Sequence, residues 1–277
     1  VTLRQEQSAA AERFRDLHRP GSPVVLPNVW DVASARIVES AGFPALATTS
    51  AGVAYAAGYP DGERIPRDRM VEAVARICAR VRVPVTADME AGHGGSPEEV
   101  RRTALAVLDA GAVGLNIEDS KDDEAVLVDA SLQAERVRAV REAGTERGVE
   151  IVINARTDVF FSPSMRDLDR VEEAARRAGA YRAAGADCIF VPGVTDPETI
   201  AALVKRLACP VNVLAVAGSL SVPELTRLGV ARVSLGSGPM RGAMTYLRRL
   251  ARETLSSGRY PDLEGIISHA EMQELMK

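Results

Sequence analysis

Lysine is nearly missing from this chain: only Lys121, Lys205 and Lys277 occur among its 277 residues, and the remaining positive charge is arginine. A Schiff-base aldolase needs an amine at the reacting centre, and none of the three lies directly at the end of an apolar run, which disfavours imine chemistry. Cysteine is as rare. Cys78, Cys188 and Cys209 have no metal-ligand or redox spacing, so all three are expected to be buried, unreactive thiols. Of the histidines His18, His93 and His269, only His93 stands beside a chemically suggestive motif. Aromatics make up 4% of the chain, and the net charge of -4 supplies no basic stripe for nucleic acid. No apolar run is long enough to span a bilayer, and the polar, arginine-containing residues 1–20 hold no apolar signal core. These absences predict a cytoplasmic protein that binds neither nucleic acid nor membrane.

What the chain has instead is regular alternation. Short apolar runs at 24–27, 45–48, 83–88, 114–117, 151–154, 187–191, 211–214 and 232–235 read as strands. Helical patterns fill 6–17, 32–40, 67–80, 96–110, 133–147, 169–184, 197–207 and 222–228. Ser96 followed by Pro97 is a strong helix start, and the phrases at 41–45, 110–114 and 184–188 each place a glycine that stops a helix before a strand. Continuous apolar strands alternating with helices call for a parallel sheet covered by helices. Eight such units predict an α/β fold of the closed (β/α)8 TIM-barrel type. The chain reads as a single domain over 1–277, with a C-terminal helical extension over about 250–277 that offers an oligomer contact.

In such a barrel, chemistry gathers just past the strand ends. The central stretch is 85–95, where an apolar run ends in Asp88 and Glu90 and opens into a glycine-rich turn. On an extended segment residues two apart share a face, so the two carboxylates are expected to point together and repel. A solvated loop with incidental acids satisfies the local pattern, and so does a divalent cation of the oxygen-loving kind, Mg²⁺ or Mn²⁺. Glu118 follows the fourth strand, and Asp61 can reach over from the long second loop. Convergence of these acids would require protons or a metal between them. The other strand ends carry Asn28, Trp30 and Asp31, the small-residue turn 49–52, Asp119, Asn154, Arg156, Pro192, Asn212, and Gly236-Ser237-Gly238. The 49–52 turn suits a carboxylate or phosphate, and equally a plain tight turn. Arg156 suits bracing of a carboxylate, binding of a substrate carboxylate, or stabilisation of an oxyanion.

The motifs at 28–35, 49–52, 88–94, 116–119 and 154–158 together resemble the isocitrate lyase / phosphoenolpyruvate mutase superfamily, in its 2-methylisocitrate lyase / phosphonomutase-like branch. The likeness spans most of 24–240 and keeps the family's order. It implies a barrel assembled as a homotetramer, a dimer of dimers with a helix exchanged between subunits. It also implies a Mg²⁺ that chelates an α-oxo or α-hydroxy carboxylate. Asp88 corresponds to the direct metal ligand, and Asp61, Glu90 and Glu118 to acids that reach the metal through water. Thr49, Ser50 and Ala51 correspond to the substrate-carboxylate turn, and Arg156 to the arginine facing the scissile region. Asp88, Trp30 and Asn212 are expected to join Thr49, Ser50, Ala51 and Arg156 at the substrate, with Arg156 and Glu118 as the catalytic pair.

The departure lies after Glu118. Lyases of this family carry a loop there whose cysteine serves as acid or base, whereas this chain has Asp119-Ser120-Lys121-Asp122-Asp123-Glu124-Ala125, with only Lys121 echoing the loop. Loss of carbon dioxide from a 3-keto acid such as oxaloacetate leaves an enolate without needing a proton donor. The expected function is therefore a Mg²⁺-dependent carbon–carbon lyase or decarboxylase for a small 2-oxo or 2-hydroxy di- or tricarboxylate. Phosphorus–carbon chemistry on phosphonopyruvate, and binding of a 2-oxo acid without turnover, are the alternatives. Tyr55, Tyr59 and His93 are the candidates for delivering a final proton.

Overall fold

The computed structural model describes residues 2–121, 126–165, 169–260 and 263–277. Its strands are β1 (Val24–Leu26), β2 (Asn28–Val29), β3 (Leu46–Thr48), β4 (Val85–Asp88), β5 (Gly114–Glu118), β6 (Ser120–Lys121), β7 (Val126–Leu127), β8 (Val152–Arg156), β9 (Cys188–Phe190), β10 (Val211–Leu214) and β11 (Arg232–Ser234). The helices are α1 (Leu3–Asp16), α2 (Val32–Ser40), α3 (Ser50–Ala56), α4 (Arg67–Cys78), α5 (Pro97–Asp109), α6 (Ala130–Arg147), α7 (Arg170–Ala183), α8 (Pro197–Leu207), α9 (Val222–Arg227), α10 (Gly238–Ser257) and α11 (His269–Leu275). Nine parallel segments form one sheet in the order β1, β11, β10, β9, β8, β5, β4, β3, β2. Its two edges, β1 and β2, are consecutive in the chain and separated only by Pro27, which has no N–H to give to a ladder. One strand, interrupted at that proline, thus pairs with β11 through its first half and with β3 through its second, and the sheet comes round on itself as the expected barrel.

All eight apolar runs become barrel strands, and the helix starts follow from their caps. Ser96 and Glu99 form a capping box ahead of Pro97, and Asp31 and Ser34 do the same for α2. Helix α3 was not legible: 49–52 reads as a turn, whereas Thr49 caps α3 by accepting from the Gly52 N–H. Its run of Ser, Ala and Gly carries no apolar period to reveal it. Beyond β5, β6 and β7 pair antiparallel as a short ladder, and residues 122–125 of the loop between them lie outside the described residues. Helix α10 buries only Met240 and exposes Met244, Leu247 and Leu255.

Helix α1 closes the bottom of the barrel with Phe14, which is fully buried. Gly114 opens β5 directly against it, and a Cβ there would meet Thr86 Oγ1 at 2.7 Å and Phe14 at 2.9 Å. Gly114→Ala therefore overpacks the floor, and a loss of about 1–3 kcal/mol is expected in urea unfolding. An unchanged midpoint would show that the floor has room. Above this layer the interior is polar: Asn116, Asn154, Asn212, Arg232 and Ser234 are all buried inside the barrel.

Candidate active site

A cavity of about 760 Å³ opens at the carboxyl ends of the strands. Ser50, Asp61, Glu90, Glu118, Ser120, Arg156 and Asp158 line it, together with Val126 and residues 161–164. The long second loop brings Asp61 there, as the sequence led one to expect. Glu90 arrives by a different route. The strand ends at Asp88, and Glu90 has φ +52, so the two-residue alternation does not extend past Asp88. A left-handed turn carries the Glu90 side chain to the cavity, where Oε2 accepts the Glu63 N–H and the Glu90 carbonyl accepts the Glu118 N–H at 2.9 Å.

Asp88 ends β4 partly exposed. Its Oδ2 accepts from the Ser50 N–H at 3.0 Å and the Ser50 hydroxyl at 2.9 Å, and its Oδ1 faces Asn116 Nδ2 at 3.5 Å. The start of α3 thus holds a protein carboxylate. Thr49 and Ala51 are buried beside it, and they and Trp30 are not among the residues lining the cavity. Asn212 is fully buried in the barrel, donating to Ser234 Oγ at 3.0 Å. Tyr55 and Tyr59 are exposed and His93 is half-buried, and none of the three lines the cavity.

Arg156 ends β8 between two carboxylates. Its Nη1 lies 2.6 Å from Glu118 Oε2, and its Nε and Nη2 reach the two oxygens of Asp158 at 2.6 and 3.0 Å. The rings of Phe161 and Phe190 flank the guanidinium with centroids at 6.0 and 5.8 Å. Burial opposes its charge, but Glu118 and Asp158 outweigh that and hold it above its usual range. Asp158 also accepts from Ser120 Oγ at 2.5 Å. Behind it, fully buried Asp119 accepts from Thr157, the Asp158 N–H, Arg177 and Tyr181. Asp119 thus braces the wall from the rear.

The acids crowd one another. Burial raises the Glu90 carboxyl to about 8, with Asp61, Asp88 and Glu63 adding like charge. Burial also lifts Glu118 well above the ordinary range, reinforced by Asp158, Asp88 and Glu90 against the pull of Arg156. Among the described residues no three His, Cys, Asp or Glu side chains close into a ready metal cage. What they offer is a mouth of oxygen donors in which the buried Glu90 Oε1 has no hydrogen-bonding partner. This donor set fits a hard divalent cation that keeps part of its water shell, as Mg²⁺ does. A side chamber of about 340 Å³ shares Glu90, Glu118 and Ser120 and ends on buried Arg136, which donates to the Gly95 carbonyl.

Sequence reasoning missed Ser120, Phe161 and Ser162 as cavity residues, and nothing in their local pattern marks them. Arg232 it passed over too, although an arginine inside an apolar strand was a visible signal. The three thiols are free and burial raises all of them, Cys78 to about 12 and Cys209 to about 11.

Comparison with known proteins adds a direct measure. The family profile described as "Phosphoenolpyruvate phosphomutase" matches residues 14–255. A Burkholderia cenocepacia J2315 structure provisionally described as a phosphonomutase is 45% identical, covering 87% of this chain and 98% of that one, with a TM-score of 0.84. Oxaloacetate decarboxylase 2 of Pseudomonas putida (strain W619) is 28% identical over 83% of this chain and 76% of its own length. The structure of oxaloacetate acetylhydrolase with its product oxalate is 26% identical, covers 98% of this chain and 94% of that one, and has a TM-score of 0.87.

Proposed function

The chain belongs to the phosphoenolpyruvate phosphomutase family, and from that premise we propose that it is a divalent-metal-dependent carbon–carbon lyase whose best-fitting reaction is decarboxylation of a small 2-oxo dicarboxylate such as oxaloacetate. The observation that carries this reading is the pairing of Arg156 with Glu118 at 2.6 Å in a cavity that also holds Asp61, Glu90 and Asp158 and no other cation among its described lining residues. Asp88 would hold Mg²⁺ or Mn²⁺ directly, with Asp61, Glu90 and Glu118 reaching it through water. When bound, the ion supplies Lewis acidity to the 2-oxo group.

The chain's own residues carry the rest. Asp158 and Glu118 fix the Arg156 fork at the cavity wall, so that it meets developing negative charge without reorganising. As the bond from C3 to the C4 carboxylate breaks, carbon dioxide leaves and the electron pair moves onto the C2 oxygen as an enolate, which takes a proton from water at C3 to become pyruvate. The sequence after Glu118 holds no cysteine or histidine before residue 132, and this step needs neither. Ser50 reaches the cavity while donating twice to Asp88, and this contact supports reading the start of α3 as the neighbour of the proposed metal position. Relatives named for oxaloacetate chemistry support the substrate class.

Incubation with Mg²⁺ and oxaloacetate, 2-methylisocitrate, isocitrate or phosphonopyruvate tests the proposal. Pyruvate and carbon dioxide are expected from oxaloacetate. Turnover of phosphonopyruvate alone would move the assignment to phosphorus–carbon chemistry. Binding of oxalate with no turnover of any compound would make the protein a 2-oxo acid binder.

A further inference from the structure

The barrel interior holds a charge that the proposed reaction leaves unused. Arg232 lies on β11, fully buried, and among the described residues no ion pair joins it to a carboxylate. Its Nε donates to Ser234 Oγ and its Nη2 to Asn116 Oδ1, both at 3.2 Å, and its Nη1 has no hydrogen-bonding partner. A guanidinium with only neutral partners in a protein interior lowers stability, so its presence calls for another reason.

Hydrogen bonding is not that reason. Asn116 Oδ1 also accepts from Asn154 Nδ2 at 2.8 Å, and Ser234 Oγ from Asn212 Nδ2 at 3.0 Å. Both acceptors remain satisfied without Arg232. What it alone supplies is charge, and the charge has an address. With Oδ1 taken by two donors, the Asn116 amide turns Nδ2 toward Asp88 at 3.5 Å. One amide therefore separates the guanidinium from the Asp88 carboxylate, a span of at most about 9 Å with ordinary amide dimensions. Burial lowers the Arg232 pKa to about 10, partly offset by Cys188 and Asp88, so the group stays protonated at neutral pH. His18 beside it is held neutral, its pKa drawn down to about 4 by burial and by Arg232.

Above this floor stand Asp61, Glu90, Glu118 and Asp158 at the cavity, with Asp88 beneath them, and Arg156 is the one cation among the described lining residues. The ligand proposed for that mouth is itself an anion. We propose that Arg232 is a fixed positive charge under the mouth that draws the anionic substrate into an acidic site while restraining the affinity for the divalent cation. The inference rests on the metal and dicarboxylate reading above. Because Asp88 keeps both Ser50 bonds and Asn116 keeps Asn154, removing the charge leaves the site's geometry in place. The effect is electrostatic and, being buried, weakly screened by salt.

The sign of the effect separates this role from a structural one, since a lost positive charge favours a cation and disfavours an anion. Wild type, Arg232→Lys, Arg232→Gln and Arg232→Met would be titrated calorimetrically with Mn²⁺ alone, and then with oxalate on the Mn²⁺-loaded protein. A unit charge at this range in a protein interior corresponds to about tenfold in affinity. Gln and Met variants are expected to bind Mn²⁺ about tenfold more tightly and oxalate about tenfold more weakly, with Lys close to wild type. The metal-free Met variant is expected to unfold at no lower temperature than wild type. Affinities that stay unchanged or fall together in Gln and Met, or a Met variant that does not fold, would overturn the inference and leave the proposed function standing. A wild-type protein that binds neither Mn²⁺ nor oxalate would overturn both.

Discussion

Asp88→Ala is expected to lower Mn²⁺ affinity by at least about 100-fold, beyond the range for residues that only support a ligand, and to remove turnover with it. The carboxylate stands at the last residue of β4, held in one orientation by the Ser50 N–H and hydroxyl. Removing it takes away the proposed direct ligand while the backbone stays fixed, since the Asp88 N–H still reaches Thr48 Oγ1 at 2.9 Å. Calorimetric titration gives the affinity, and thermal unfolding of the metal-free protein shows that the barrel persists. Full Mn²⁺ affinity in this variant would move the metal away from β4. In wild type the affinity should climb as pH rises toward about 8, because the cation favours the ionised form of Glu90 and competes with its proton below that point.

Arg156→Ala should lower kcat/KM on the order of 10³-fold, the scale of losing a preorganised donor at developing negative charge. It should also cost about 3–5 kcal/mol of stability, because Glu118 and Asp158 lose their shared partner in a buried setting. The two effects are separable. Arg156→Lys retains one charge and recovers part of the stability, but a single ammonium cannot reproduce the fork that spans Glu118 and both oxygens of Asp158. Activity is therefore expected to stay low in the lysine variant. A lysine variant that regained activity in step with its unfolding temperature would show that Arg156 only braces the wall.

Much of the fold could be read from local pattern because burial imposes it locally. Each barrel strand must be apolar to pack against helices outside, and each helix start must satisfy its own free N–H groups, so 32–40 and 197–207 match α2 and α8 residue for residue. The acids at the mouth were legible for a related reason: a strand end followed by Asp or Glu places that residue on the catalytic rim of any such barrel. The limit of that logic is visible at Glu90. Alternation places it on the face of Asp88, but the chain turns left-handed there, and the contact that accompanies the turn is with Glu63 on another loop.

The stretch around Asp88 and Glu90 shows the same division. Sequence by itself determined the order of the eight barrel strands and of the helices between them except α3, the (β/α)8 architecture, and the presence of Asp61, Asp88, Glu90, Glu118 and Arg156 near one end of the barrel. Tertiary structure alone decided their partners. Arg156 is bound on two sides, Asp119 works behind the wall, Asn212 belongs to the interior, and Arg232 sits one amide from Asp88. The physical reason is range. Periodicity and capping are set within a few residues, whereas Arg156 meets Glu118 across 38 positions and Arg232 meets Asn116 across 116, contacts that exist only once the sheet has closed and fixed its register.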